Sequence, residues 1–267
     1  MENTLRDSER DYWENRLGKD VPLNSVGYHG LSDAFVAWLY RVRAARFTQA
    51  VRSFARPGLR VLDIGSGGGF YIDLWRRLGV TDVTASDLTQ ASLDAIARRF
   101  PGTATIRFDA GADNVPLADG SFDAISCMDV VHHLMDDAQY ERAIANCARL
   151  LKPGGMLVFT DNFLHGPAFR AAHSLSRPLI QIERILRGNG FSIESRRPMF
   201  VLMNNPIDSR SPAHALFWKC VSYMSENRVL GAIFGAAMYP AELALTSLLD
   251  EGPSTELCVA RRSNGYL

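Results

Sequence analysis

Apolar residues recur at helical spacing over residues 33–54, and the segment RPGLR then interrupts the pattern. A repeat of this period predicts a helix with one buried face, and Pro and Gly predict where it ends. We therefore expect a helical segment to precede the first strand of the folded core.

Beyond that segment, short runs rich in β-branched residues alternate with helical stretches. The runs predicted as strands are RVLDIG, DVTASD, ATIRFDA, FDAISCMD, MLVFTD, FSIESRRPMFVL and TELCVARR. The predicted helices cover residues 69–78, 90–99, 137–151 and 178–190. Strands separated by helices indicate βαβ units, so the pattern predicts an α/β fold with a doubly wound, mostly parallel sheet.

A long insertion, residues 204–254, separates the last two predicted strands, whereas a hairpin needs only about two to five residues. Residues 229–249 are apolar enough to resemble a membrane span by length. Pro240 and Glu242 argue against a span, because proline interrupts a helix and a carboxylate is costly inside a bilayer. We expect two helices that meet near Tyr239 and Pro240. Their role is open between a cap over a substrate site, a homodimer contact and a membrane-surface contact.

Charge and composition narrow the class of protein. The 29 basic and 29 acidic residues cancel without a long run of one sign, which disfavours a nucleic-acid partner. A length of 267 residues predicts one domain with additions. The charged N-terminus lacks the apolar region of a signal peptide, so we expect a cytoplasmic protein. The 4 cysteines form no CxxC pair, which argues against a zinc site and a disulfide scaffold.

A run of glycines follows an aspartate in RVLDIGSGGGFYIDLW, residues 60–75. Glycines between a strand and a helix let the backbone approach a ligand closely. The dinucleotide pattern GxGxxG fits poorly, because its third position falls on Phe70 or Ile72. A carboxylate ahead of the glycines suits a ligand that carries positive charge and would repel a pyrophosphate. The pattern present is D-x-G-x-G-x-G, formed by Asp63, Gly65, Gly67 and Gly69.

With this motif the sequence resembles the class I S-adenosylmethionine-dependent methyltransferases of the small-molecule type, over roughly residues 55–200 and the last strand. The resemblance implies S-adenosylmethionine as cofactor and a seven-stranded Rossmann-like sheet with N-terminal helices and a helical insertion before the last strand. It divides the chain into an N-terminal helical cap segment, residues 1–54, a methyltransferase core, residues 55–203 and 255–267, and the insertion, residues 204–254.

The same resemblance implies which residues contact the cofactor. The glycine turn would wrap the methionine part. Asp87 in TASDLT would accept hydrogen bonds from both ribose hydroxyls, and Leu88 would lie against the adenine. Asp109 matches the acid at the adenine amino group, with Ala110 beside it. The full set of candidates is Asp63, Gly65, Ser66, Gly67, Gly69, Asp87, Leu88, Asp109, Ala110 and Met128.

Methyl transfer is an in-line displacement at a sulfonium carbon, so positioning supplies much of the acceleration. A base is needed only when the acceptor atom carries a proton. After the fourth strand the chain reads CMDVVHHL, which differs from the [DNS]PP[YF] motif of relatives that methylate DNA bases or glutamine amides. The candidates for a catalytic role are His133, Asp161, His165 and His29.

The acceptor is expected to be a small molecule, and the apolar insertion is compatible with a lipophilic or lipid-linked one. Tyr28, Phe35, Trp38 and Tyr40 are candidates for its pocket, although an aromatic stripe at this spacing is more typical of a core. We expect O-methylation of the kind found in natural-product or glycan tailoring. The alternatives are carbon methylation and a non-catalytic, cofactor-binding partner subunit, because a fold does not fix a function.

Overall fold

The computed structural model describes Trp13 and residues 30–264. Its strands are β1 (Arg60–Ile64), β2 (Asp82–Asp87), β3 (Ala104–Arg107), β4 (Phe122–Cys127), β5 (Leu151–Asp161), β6 (Phe169–Arg170), β7 (Leu175–Ser176), β8 (Phe191–Pro198) and β9 (Glu256–Arg262). Its helices are α1 (Asp33–Val51), α2 (Phe70–Arg77), α3 (Gln90–Arg99), α4 (Asp137–Leu150), α5 (Leu179–Gly188), α6 (Pro212–Ser225) and α7 (Arg228–Leu248).

The main sheet has seven strands in the order β3-β2-β1-β4-β5-β9-β8, and β6 and β7 form a separate two-stranded hairpin. Strands β1 to β5 run parallel to their neighbours. Strand β9 is antiparallel to both β5 and β8. The predicted doubly wound, mostly parallel sheet is confirmed.

Both faces of the sheet are buried, which explains the nearly continuous apolar runs of the central strands. Leu62 belongs to one buried apolar cluster and its neighbour Val61 to a second one, as expected when successive side chains alternate between faces. Helix α4 contributes Tyr140 to the first cluster, and α1 contributes Phe35 to the second. Helix α1 thus covers the sheet face opposite to α4.

The insertion forms α6 and α7, and α7 packs against α1. An added Cβ at Gly235 would lie 2.3 Å from the Trp38 ring, so glycine permits this close approach. The prediction of two helices meeting near Tyr239 and Pro240 is wrong, because α7 continues through Pro240. Packing along α1 outweighs the one backbone hydrogen bond that the proline removes. The break lies before α7, where Asn227 caps the new helix.

Glu242 of α7 explains why β8 is shorter than predicted. Its buried carboxylate accepts hydrogen bonds from the backbone N–H groups of Val201 at 2.7 Å and Leu202 at 2.8 Å. The sequence predicts a strand up to residue 202, but β8 ends at Pro198. Met199 N still donates to Thr255 O beside β9, at 2.9 Å, and from Val201 onward the backbone bonds to this side chain instead of a neighbouring strand.

Among the residues that the structure describes, Arg228–Leu248 is a helix whose length and composition suffice to cross a membrane. Its most apolar window has a mean hydropathy of 1.4 and is 28% buried. The buried part includes Glu242, which the rest of the protein holds by hydrogen bonds. The exposed face beyond Arg228 carries no charge and consists of Val229, Leu230, Ile233, Ala236, Ala237, Pro240, Ala241, Ala244, Ser247 and Leu248.

Candidate functional site

Five aspartates lie at or just after the carboxyl ends of β1 to β5, where ligands bind in sheets of this class. Because these strands are parallel, their carboxyl ends meet at one edge of the sheet. The structure therefore brings the five side chains to this edge. The five residues are Asp63, Asp87, Asp109, Asp129 and Asp161.

The glycine turn after β1 is crowded by its own neighbours. Gly65 has a φ of 68° and Gly69 a φ of 81°, values that side-chain-bearing residues rarely adopt. An added Cβ would lie 2.2 Å from Val130 at Gly65 and 2.4 Å from the Phe100 ring at Gly69. Both conformation and space therefore require glycine at these two positions.

Asp87 fixes the glycine turn to the end of β2. Its Oδ2 accepts a hydrogen bond from Gly67 N at 2.9 Å, and its Oδ1 accepts from Thr89 N at 2.9 Å and Thr89 Oγ1 at 2.8 Å. A carboxylate has about four acceptor positions, so these bonds occupy most of them. A ribose hydroxyl would therefore donate to a carboxylate that already orders the glycine turn.

Asp63 carries an unsatisfied polar atom within this site. Ser126 Oγ donates to its Oδ1, whereas its Oδ2 is buried without a hydrogen-bond partner. Burial raises the pKa of the Asp63 carboxyl to about 7, against the opposing hydrogen bond from Ser126. An unpaired, buried carboxylate oxygen fits a ligand that brings positive charge and hydrogen-bond donors.

The remaining cofactor candidates lie along the same edge. Asp109 Oδ1 accepts a hydrogen bond from Gly111 N at 2.8 Å, which forms a turn. Because of this turn, β3 ends at Arg107, earlier than the sequence predicts. Among the other candidates, Leu88 is half-buried, whereas Ala110 and Met128 are buried. The structure therefore brings the predicted cofactor residues from the ends of β1 to β4 together.

Comparisons with known proteins agree with this geometry. Residues 62–159 match a family described as a methyltransferase domain. A ubiquinone biosynthesis O-methyltransferase from Xanthomonas campestris pv. campestris (strain B100) is 39% identical over 123 residues, which are 45% of this chain and 49% of that protein. One from Mesorhizobium japonicum is 32% identical over 180 residues, 66% of each chain. The described fold also resembles an S-adenosylmethionine-dependent methyltransferase from Mesorhizobium loti, with a TM-score of 0.53, 19% identity, and coverage of 83% of this chain and 100% of that one.

The chain carries a class I S-adenosylmethionine-dependent methyltransferase domain. S-adenosylmethionine is accordingly the cofactor of this methyltransferase domain, and the unpaired Asp63 oxygen and the glycine turn fit its charge and its need for close backbone approach. The match covers about half the length of the Xanthomonas relative, so it identifies the domain and leaves the acceptor open.

His133 lies in a 3₁₀ turn, Val131–His133, that follows β4 of the methyltransferase domain. Its Nδ1 is 2.6 Å from the backbone oxygen of His173. A carbonyl oxygen only accepts, so Nδ1 must donate, and a neutral ring then carries its proton-accepting lone pair on Nε2. The neighbouring His132 ring is 4.2 Å away between centroids, and burial holds the pKa of His132 well below its usual value.

Asp161 is fully buried at the end of β5. Its carboxylate accepts hydrogen bonds from Tyr140 Oη at 2.9 Å and from Asn162 N at 2.7 Å. Burial raises the pKa of Asp161 to about 6, and these two hydrogen bonds oppose the rise. With both oxygens bonded to the protein, this carboxylate orders the end of β5.

His165 has a carboxylate at each ring nitrogen. Its Nδ1 is 2.6 Å from Asp208 Oδ2, and its Nε2 is 3.1 Å from Glu251 Oε2. The hydrogen bond that the ring donates to Asp208 raises the pKa of His165 above the usual value. Two neighbouring carboxylates favour the protonated form of this ring, which has no lone pair for a substrate proton. His29 and Tyr28 lie outside the described residues.

The aromatic candidates of α1 belong to the packing of the fold. Phe35 is fully buried, and Tyr40 is 8% exposed, with its ring 4.7 Å from that of Phe70 between centroids. Trp38 packs against Tyr239 of α7, with 5.3 Å between ring centroids. Within residues 30–264 and Trp13, no group of three or more His, Cys, Asp or Glu side chains is arranged to hold a metal ion.

The sequence interpretation missed an ion pair between α1 and the site edge. Arg43 donates to the carboxylate of Asp129, whose φ of 59° is unusual for a residue other than glycine. The sequence did contain an indication of this pair. Arg43 lies seven positions after Val36 and four after Leu39, so a charged residue falls on the buried face of the helix. Charge on an apolar stripe indicates a partner inside the fold.

Proposed function

We propose that this chain transfers the methyl group of S-adenosylmethionine to a hydroxyl oxygen of a small, lipophilic molecule. The observation that carries the proposal is that two features share one edge of the sheet. One is the buried, unpaired carboxylate oxygen of Asp63, and the other is the His133 ring, whose tautomer places the lone pair on Nε2. The relatives from Xanthomonas and Mesorhizobium, which are named as ubiquinone biosynthesis O-methyltransferases, support oxygen as the acceptor atom.

Each cofactor residue has a chemical task in this proposal. S-adenosylmethionine supplies an electrophilic methyl carbon when it is bound. Asp63 supplies negative charge to the cationic end of the cofactor, while Asp87 orders the glycine turn through Gly67 and accepts from the ribose. Asp109 lies at the next strand end, where it accepts from the adenine amino group. These tasks are binding and orientation, which supply much of the rate in an in-line displacement.

His133 is the base in this proposal. The bond from its Nδ1 to the His173 carbonyl fixes the tautomer whose lone pair is on Nε2, and in this proposal Nε2 accepts the hydroxyl proton. A hydroxyl that loses its proton as the bond to carbon forms is a stronger nucleophile, and such general-base catalysis contributes about 10² to 10⁴ in rate. His165 and Asp161 have supporting roles, because their nitrogens and oxygens are occupied by partners within the protein.

The insertion acts as a brace in this proposal. Helix α7 packs on the face of α1 that carries Trp38, while the other face of α1 presents Arg43 to Asp129. The segment that covers the site is then α1, and residues 204–254 hold α1 in place. A lipophilic acceptor fits the apolar surroundings of this helix pair.

The experiment is transfer from S-adenosylmethionine that carries a deuterated methyl group, with the purified full-length chain and metabolite extracts. Mass spectrometry should find a product heavier by one labelled methyl group, and NMR should place that group on oxygen. A label on carbon would favour carbon methylation. Cofactor binding by calorimetry without any labelled product would favour a non-catalytic, cofactor-binding subunit.

A further inference from the structure

A cavity of about 260 Å³ lies between α1, β8 and α7, and none of the cofactor or acceptor residues lines it. Its apolar walls are Ala50, Pro198 and Leu257. Its polar lining residues are Arg46 and Gln49 of α1, Ser195 and Arg197 of β8, and Thr246 and Ser247 of α7. Among these described lining residues there are two cations and no acid.

Arg46 has an unsatisfied donor in this cavity wall. Its Nη1 donates to Ser247 Oγ at 2.8 Å, whereas its Nε is buried without a hydrogen-bond partner. Burial lowers the pKa of the Arg46 guanidinium, and the charges of Tyr239 and Glu242 oppose that effect. A buried N–H without an acceptor is costly, and a ligand oxygen that reached it after rotation of the side chain would remove that cost.

Arg197 supplies the second cation from the opposite wall. It donates to the carboxylate of Asp250, in a pair whose side chains are 52% and 86% exposed. Exposed pairs of this kind contribute little to stability, since water screens them. A ligand anion can therefore replace Asp250 as the partner of Arg197 with little loss of folding free energy.

We propose that this cavity binds a phosphate group. Guanidinium groups bind oxyanions through pairs of parallel hydrogen bonds, and hydroxyl groups add single donors. Here the guanidinium groups of Arg46 and Arg197 come from α1 and β8, and the hydroxyl group of Ser195 accompanies them. The Ser247 hydroxyl accepts from Arg46 and donates to Leu243 O, so it orients Arg46. Donors that surround a ligand suit the tetrahedral oxygens of phosphate better than the two coplanar oxygens of a carboxylate.

Two sources offer this chemistry, a soluble phosphorylated molecule and the head group of an anionic phospholipid. The cavity includes Ser247, and the next residue, Leu248, is 77% exposed at the end of the uncharged face of α7. A bound head group would bring that face to the acyl chains. The proposal concerns binding and does not depend on methyl transfer.

The first experiment is calorimetry of the full-length protein with inorganic phosphate at constant ionic strength, with chloride as the compensating ion. We expect saturable binding that Arg46→Gln and Arg197→Gln each weaken at least tenfold. Asp250→Asn should tighten binding severalfold, because it removes the competing carboxylate. Arg228→Gln removes the same charge at the other end of α7, where the side chain is 79% exposed, and should change binding less than twofold.

The second experiment is co-sedimentation with phosphatidylcholine vesicles, with and without phosphatidylglycerol. Binding to the anionic vesicles that Arg46→Gln removes and Arg228→Gln retains would identify a lipid head group. Phosphate binding with the same dependence, but without vesicle binding, would identify a soluble ligand. Binding to neither probe, or binding that Arg46→Gln and Arg197→Gln leave unchanged, would overturn the proposal. Arg197 is half exposed, so Arg197→Gln decides the matter if Arg46→Gln does not fold.

Discussion

Arg43 of α1 donates a hydrogen bond to the carboxylate of Asp129, which follows the carboxyl end of β4. Arg43 is nearly buried, and Asp129 holds a left-handed backbone conformation while Thr160 Oγ1 accepts its N–H at 2.7 Å. The helix that precedes the first strand is therefore attached to the edge of the sheet where the cofactor residues meet.

Replacement of Arg43 should destabilise the protein. In Arg43→Met the Asp129 carboxylate keeps its charge without its partner, so we expect the free energy of unfolding in urea to fall by about 1–3 kcal/mol, less than for a fully buried pair because Asp129 is partly exposed. Asp129→Asn in the same chain should restore part of the loss. Arg52→Met, at an exposed residue after α1, serves as the control. Equal stability of the two single variants would contradict the role of the pair.

Asp87 should control cofactor affinity. We expect Asp87→Ala to weaken binding of S-adenosylmethionine by about 2 kcal/mol, roughly thirtyfold, because a charged acceptor of ribose and of Gly67 N is lost. Asp87→Asn keeps one acceptor oxygen and should fall between. Asp82→Ala changes an exposed aspartate at the other end of β2 and should leave the dissociation constant unchanged. Calorimetry measures all four proteins, and an unaltered constant in Asp87→Ala would remove the assignment.

Asp63 should make folding stability depend on pH. Burial raises the pKa of this carboxyl to about 7, above the value of about 3.9 expected in the unfolded chain. The folded state then binds a proton that the unfolded state releases, so this contribution to stability is present at low pH and is lost as the pH rises from about 4 to 7. Asp63→Asn should lack this loss when the free energy of unfolding is measured across that range.

The same carboxyl should report on the charge of the cofactor. A cationic ligand beside Asp63 favours the carboxylate, so binding of S-adenosylmethionine near pH 6.5 should release up to about one proton. Calorimetry in two buffers of different ionisation enthalpy measures that release. Asp63→Asn should release none from this position. Equal proton release by both proteins would mean that the ligand does not lie against Asp63.

His133 should be needed for turnover and not for cofactor binding. If Nε2 of this ring accepts the hydroxyl proton, His133→Ala should lower turnover by about a hundredfold or more, since general-base catalysis contributes about 10² to 10⁴. The dissociation constant of S-adenosylmethionine should change little. His214→Ala, which changes a ring bonded to the Val201 carbonyl, is a matched control. Turnover within a few-fold of the parent would leave positioning as the source of rate and would favour a carbon acceptor.

His165 should also make folding stability depend on pH. Its imidazole is a base, whereas the Asp63 carboxyl is an acid, but both contributions are lost as the pH rises. The hydrogen bond donated to Asp208 raises the pKa of this imidazole above its usual value of about 6.5, so its contribution is fully present below that pH and is lost as the pH rises through the folded pKa. His165→Gln and Asp208→Asn should both remove this part of the pH dependence in thermal unfolding. A fall in turnover as large as that of His133→Ala would show that His165 acts on the substrate.

The sequence by itself determined the features that depend on neighbouring positions along the chain. The alternation of strands and helices predicted the sheet, and the carboxyl ends of parallel strands had to bring Asp63, Asp87 and Asp109 to one edge. The glycine turn was also a local property, because Gly65 and Gly69 have positive φ values that residues with a side chain rarely adopt.

Tertiary structure decided the features that depend on partners far away in the chain. Pro240 stays inside a helix because α7 packs along α1. The predicted end of β8 is not a strand because Glu242, 41 residues from Val201, accepts from the N–H groups of Val201 and Leu202. Arg43 lies on an apolar helix face because Asp129, 86 residues away, offers it a carboxylate. Local periodicity cannot show such pairs, because their free energy arises only when folding removes both groups from water.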